Sequence, residues 1–322
     1  MCGRFSLRLA HQEIQELQGY NLPIPDWINQ GQFVPRYNVA PRSQAPVIRR
    51  QLGDESTSSD NTGGESQAGA ELSSGQLVMQ TMKWGLVPHW SKFEDKNLNT
   101  MNARSENLIS GGGMWNSLKG RKRCVVICQG YYEWLSKGKV KVPHFTKPKN
   151  GKLMLLAGLY DSVDLQDQTD TLWSFTIVTT EASNEFSWLH DRQPVILSTQ
   201  EDLDQWLDTS SQRWSDDLVK IVSRHTPKTL HLSVPKEVGK VGTESSSFIL
   251  PISARKDGIQ AMFSRQKQAQ GSTPKKSSTA AVKRKRDSDI EETSKLTERV
   301  DSDDIEILDG PPMSAKKIKV KQ

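Results

Sequence analysis

Cysteine is scarce in this chain of 322 residues: Cys2, Cys124 and Cys128 are the whole set, and no two of them form a C-x-x-C pair. So small and odd a set excludes a disulfide framework, and without paired thiolates it excludes a structural zinc site. Long apolar runs are lacking too. No stretch approaches the roughly 20 residues that span a bilayer, and the first residues have no apolar signal core. The expectation is a soluble intracellular protein with no membrane partner, no metal and no cofactor. Charge of one sign is lacking over most of the chain. Net charge is +5, but residues 255–322 hold 16 Lys/Arg and 11 Asp/Glu, which leaves 27 of each sign in residues 1–254. A general positive field is thereby excluded for the larger part, and binding of nucleic acid there requires a local basic patch.

Aromatic residues are absent from 51–76, a run of Ser, Gly, Thr, Asp and Glu that predicts an unstructured surface insertion. Beyond residue 254 the composition turns to Gln, Ser, Lys and Asp with isolated apolar residues, so a disordered tail over 255–322 is expected to succeed a domain over 1–254. In that tail Lys275-Lys276 and Lys283-Arg284-Lys285-Arg286 resemble a two-part nuclear localisation signal, and the expected compartment is the nucleus. Residues 256–263 loosely resemble a box that binds the replication sliding clamp. Residues 303–309, an apolar stretch among acidic residues, resemble a SUMO-interacting strand.

Within 1–254, Ile14 and Leu17 at i, i+3 spacing predict a short amphipathic helix over 8–18, and Pro23, Pro25, Pro35 and Pro41 break up the segment after it. Strands are expected at 46–50 and, continuing it, 77–83, then at 124–128 with an extension through Gly130-Tyr131-Tyr132-Glu133-Trp134, and at 153–160, 173–179, 195–197 and 230–234. Thr199 is placed to cap a helix holding Leu203, Trp206 and Leu207, and 215–224 reads as a second amphipathic helix. Cys124 and Cys128 fall in an apolar run and are expected in the core. Arg121-Lys122-Arg123 beside it predicts a basic edge. The sum is an α+β fold with a largely antiparallel, barrel-like sheet and helices mostly in the second half.

Chemistry concentrates at a few places. In Met1-Cys2-Gly3-Arg4 the initiator Met precedes a small residue, so the expected mature chain begins at Cys2. A primary amine (pKa about 7.7–8.0) and a thiol (about 8.5) then stand on adjacent carbons, each near its nucleophilic form. Trp84 admits two readings, core packing or a stacking face for a nucleobase, whereas Trp90 is expected in the core. Glu133 between Tyr132 and Trp134 is either a desolvated acid/base or a residue on an exposed strand face. His190 beside Arg192 is either catalytic or structural.

Together, Met1-Cys2-Gly3-Arg4, Tyr37-Asn38-Val39-Ala40-Pro41, Trp84-Gly85-Leu86-Val87-Pro88, Asn102-Ala103-Arg104-Ser105-Glu106, Gly130-Tyr131-Tyr132-Glu133-Trp134 and His190-Asp191-Arg192-Gln193-Pro194 resemble, in order, the motifs of the SRAP family, whose eukaryotic members process abasic sites. Gln193 stands where the family usually has Met. The resemblance implies a protein that crosslinks itself to abasic sites in single-stranded DNA, forming a thiazolidine through Cys2. Glu133 would relay protons at the amine, His190 would act on the sugar oxygen, and Asn38 would fix the N-terminal residue or the opened sugar. Arg4, Arg104 and Arg192 would hold phosphates with help from Asn102, and Trp84 and Pro41 would stack on exposed bases. Two rivals remain open: a peptidase with Cys2 as nucleophile and His190 as base, and a non-covalent reader of modified bases.

Overall fold

The computed structural model describes residues 2–51, 75–224 and 229–254. All of them belong to one compact unit, Met1–Gly271. Most of the 51–76 insertion and the whole tail, with its localisation, clamp and SUMO motifs, lie outside the described residues.

The fold is α+β around a closed five-stranded barrel. Its central strand is β7 (Arg123–Cys128), in which all six residues are buried, as a continuous Cys-Val-Val-Ile-Cys run requires when both faces are covered. β7 pairs on one side with β10 (Met154–Val163) and on the other with β4 (Gln44–Arg50). β5 (Leu77–Trp84) does not continue β4. It returns antiparallel beside it, from Gln44 opposite Lys83 to Arg50 opposite Leu77. β11 (Leu172–Glu181) pairs antiparallel with β10 and meets β5 in parallel at Ser174/Lys83 and Phe175/Trp84, which closes the ring. Short strands β2 (Trp27–Ile28), β6 (Asn102–Arg104) and β12 (Arg192–Pro194) lie against β5 and β11. The expected strand at 195–197 is thus displaced: pairing with β11 ends at Pro194, and Ile196 makes a lone bridge to Leu156.

A second, antiparallel sheet has the order β13 (Thr229–Ser233), β9 (Val140–Pro148), β8 (Gly130–Lys137), β1 (Phe5–Leu7) and β3 (Arg36–Val39). Hence residues 130–134 do not extend β7 but begin another sheet. The chain crosses at Gly130, where a Cβ would lie 2.4 Å from the Thr146 carbonyl oxygen, so no other residue fits without moving backbone.

Among the described residues four short α-helices flank the sheets: α1 (His11–Glu16), α2 (Ser105–Ser110), α3 (Gln200–Leu207) and α4 (Asp216–Ser223). Thr199 caps α3, its Oγ1 accepting from the Asp202 amide at 3.0 Å. The basic edge expected at 121–123 is exposed at Arg121 and turns inward over the next two residues. Arg123 is 1% exposed and donates to the carbonyls of Lys119, Gly120, Trp206 and Asp208, while Lys122 pairs with buried Asp161 at 2.5 Å. Cys124 and Cys128 lie in the core as expected. Among the described residues no helix is long and apolar enough to cross a membrane, and no group of three or more His, Cys, Asp or Glu could hold a metal ion.

Candidate active site around Cys2

β1 and β8 bring the N-terminal segment to Glu133. Phe5 lies opposite Tyr131 and Ser6 opposite Gly130, and Tyr132 N donates to the Arg4 carbonyl at 2.9 Å. Continued, that antiparallel register leads Gly3 and Cys2 past Glu133 and Trp134. Cys2 is fully buried. Its carbonyl accepts from Asn102 Nδ2 at 3.0 Å, and β6, which carries Asn102, is fixed by parallel pairing with Ile177 on β11. The Asn102 Oδ1 atom is buried without a hydrogen-bond partner, an acceptor left open on a side chain whose Nδ2 already holds the N-terminal residue.

Glu133 is 4% exposed, and burial pushes its carboxyl up to about 7. His190 Nε2 lies 3.7 Å from Glu133 Oε1. Burial lowers the imidazole pKa, so a neutral ring faces a carboxyl that is half protonated near neutrality. The far side of the ring is fixed locally, with Nδ1 3.0 Å from the Arg192 amide and 2.6 Å from Asp191 Oδ1. The Cys2 thiol is raised well above its ordinary value, first by burial and then by Cys128 and Glu133. This is a set of groups that can pass a proton between neutral partners, with the sulfur held as a thiol.

The family model for SOS response associated peptidase (SRAP) matches residues 1–241. The chain belongs to the SRAP family. It is 33% identical over 261 residues to the abasic site processing protein YMR114C of Saccharomyces cerevisiae, covering 78% of this chain and 68% of that one. Against the abasic site processing protein HMCES of Gallus gallus it is 30% identical over 236 residues, covering 65% of this chain and 66% of that one. Against YoqW of Bacillus subtilis, also an abasic site processing protein, identity is 31% over 208 residues, with coverage of 64% and 80%. A crystal structure of a protein from Bacteroides thetaiotaomicron shares the fold at a TM-score of 0.61 and 22% identity, covering 78% of this chain and 99% of that one.

The remaining motif residues of this SRAP chain are not all where their expected roles require. Trp84 is 0% exposed, packed on Phe5 and Phe175, and its Nε1 donates to the Met101 carbonyl, so it cannot stack on a base. Trp90 reverses the other expectation: it is 56% exposed, with Phe93 nearby in sequence at 57%. Trp84 is held at the end of β5, and the chain stays buried through Leu86, Val87 and Pro88 before it reaches the surface at His89 and Trp90. Arg192 is also removed from phosphate duty. It is 8% exposed and grips Glu106 through both terminal nitrogens, at 2.5 and 3.0 Å, with a further bond to the Thr179 carbonyl at 2.9 Å.

Asn38 serves the fold rather than the N-terminal residue. Its Oδ1 accepts from Arg4 at 3.0 Å, and its Nδ2 is shared among the carbonyls of Val238, Lys240 and Thr243. Arg4 is half buried and also donates to the carbonyls of Val238 and Gly239. Arg104, at the end of β6, is exposed, and Pro41 is half buried at a cleft of 150 Å³ shared with Arg42, Asn97 and Leu98. The structure therefore gathers Cys2, Asn102, Glu133 and His190, leaves Arg104 open, and gives Asn38 and Arg192 positioning tasks. Glu106, to which no role was assigned, proves to be the partner of Arg192. Its place in Asn102-Ala103-Arg104-Ser105-Glu106 was the available signal.

Proposed function

We propose that this protein senses abasic sites in single-stranded DNA and joins itself to them through Cys2 once Met1 is removed, by the chain itself or by an aminopeptidase. The names of the relatives supply the substrate class. The observation that carries the chemistry is the convergence of buried Cys2, Asn102 with its unpartnered Oδ1, Glu133 with a carboxyl near 7 and neutral His190. An opened abasic sugar presents an aldehyde at C1′. The freed Cys2 amine adds to it, and protonated Glu133 supplies the proton with which the hydroxyl leaves as water, giving an imine. The thiol adds across C=N, sulfur to carbon and its proton to nitrogen, and closes a five-membered thiazolidine. One water is lost overall. Sulfur need not be a thiolate, because adjacency gives ring closure an effective molarity that reaches on the order of 10⁵ M.

His190 adjoins Glu133 and is placed to move the proton of the sugar oxygen during ring opening and, in reverse, during release. Asn102 Oδ1 is an acceptor for the new amine. Exposed Arg104 and partly exposed Arg4 are the local basic patch that a neutral domain requires, and Trp90 rather than Trp84 offers a ring to a base. The nucleus as compartment, and the sliding clamp and SUMO as partners, belong to the same proposal on the strength of the tail motifs alone. Against a cysteine peptidase stands the raised thiol pKa, which opposes the thiolate that such an enzyme uses. A denaturing gel tests the reading. Cys2→Ala should abolish the heat-stable DNA adduct while affinity for single-stranded DNA stays within a few fold, and equal loss of both contradicts a dedicated chemical role.

A further inference from the structure

Trp188 stands two residues before His190 with 48% of its surface exposed, although a large aromatic side chain gains much from burial. The ring is nevertheless held. His144 packs against it with centroids 5.3 Å apart at 86°, and His231 at 5.7 Å and 83°. Both imidazoles are themselves fixed. His144 Nδ1 lies 3.0 Å from the Val142 carbonyl oxygen, and His231 is set between Thr146 Oγ1 at 3.0 Å and Thr229 Oγ1 at 3.2 Å. The result is an indole in a fixed orientation with nearly half of it facing solvent.

This bracket adjoins the reacting groups. His144 is the cross-strand partner of Glu133 in the β8–β9 ladder. Directly opposed residues point to the same face of a sheet with Cβ atoms about 4.5–5.5 Å apart. Trp188 is thus linked to Glu133 through the single ring of His144. Two exposed lysines lie within electrostatic reach of these histidines, Lys137 of His144 and Lys149 of His231. Burial lowers the pKa of both histidines, and the charge of Lys137 at His144, and of Lys149 together with His144 at His231, lowers them further.

We infer that Trp188 is a stacking platform for a nucleobase next to the abasic residue of single-stranded DNA, with Lys137 and Lys149 beside the adjoining phosphates. The inference rests on the substrate reading above. A base that neighbours a lesion has lost its stacking partner on one face, and an indole held one ring from Glu133 replaces it. Undamaged duplex DNA offers no such free face, and an aromatic side chain of a partner protein would lack phosphates for the lysines to meet.

The test uses the full chain carrying Cys2→Ala, so that binding stays reversible, and three oligonucleotides with a tetrahydrofuran abasic analogue. One has bases on both sides of the analogue, and each of the others has a baseless spacer on one side. Fluorescence anisotropy should show Trp188→Ala weakening binding on the order of tenfold on the first oligonucleotide. Trp188→Phe should restore most of it, and the penalty should vanish when the base on one particular side is missing. An equal penalty on all three oligonucleotides, or none on any, overturns the inference. If the Trp188 variants bind and, with Cys2 restored, crosslink like the parent, the inference fails alone. If the parent binds none of the three, the substrate reading fails with it.

Discussion

Replacing Glu133 by Gln changes the pH dependence of stability in a direction and by an amount that the structure fixes. The carboxyl titrates at 4.5 when exposed and at about 7 when folded, because burial penalises its charged form. The folded state therefore binds more protons than the unfolded state between those values, and stability must fall as pH rises through that window. At about 1.4 kcal/mol per pH unit, the interval corresponds to about 3 kcal/mol. Glu133 is 4% exposed, so little screening by solvent reduces that figure. Gln keeps the shape and cannot ionise. Denaturant unfolding at a series of pH values should find the Glu133→Gln variant gaining on the parent by about 3 kcal/mol between pH 4.5 and 8, most of it before pH 7. The difference isolates Glu133 and the few groups that feel its charge, since titrations elsewhere in the chain are shared. Parallel curves for the two proteins would refute the reasoning and leave Glu133 an ordinary solvated carboxylate.

The same carboxyl shapes the reaction rate. Crosslinking should be bell-shaped in pH, rising as the Cys2 amine deprotonates toward about 7.7–8.0 and falling as Glu133 ionises; single-turnover rates of Glu133→Gln should be slower and lack the alkaline limb. Arg104→Glu should weaken DNA binding and lower the slope of log K against log salt by about 1, as expected for a lost phosphate contact. A salt titration that leaves the slope unchanged takes Arg104 off the phosphate path. Trp84→Ala should cost about 3–5 kcal/mol in unfolding experiments, as for a large core ring, whereas Trp90→Ala should leave stability nearly unchanged and reduce DNA affinity.

Legibility in the sequence tracks the strength of each local signal. The run at 124–128 and the apolar residues of 153–160 and 173–179 identify the barrel walls, because a strand covered on both faces is mostly apolar, with small hydroxyl residues such as Ser174 and Thr176 tolerated in β11. The second sheet is harder to read. β9 contains Lys141, Pro143 and Lys147, and β1 and β3 are three and four residues long, too short for a period to emerge. Cys2, Glu133 and His190 are legible as chemical groups, but their meeting depends on a sheet-to-sheet crossing at Gly130 that no local pattern announces. Trp84 and Trp90 are indistinguishable by residue type and six positions apart. Which of them is buried is decided by the parallel contact that closes the barrel. Arg192 reads as a phosphate ligand until Glu106, 86 residues away, is brought beside it.

The most direct test is intact mass after the purified protein is mixed with a single-stranded oligonucleotide carrying one abasic site. The account predicts a heat-stable species equal to the chain without Met1 plus the DNA minus one water, absent with Cys2→Ala. A chain that associates with the DNA only reversibly, with its mass unchanged after denaturation, would contradict it.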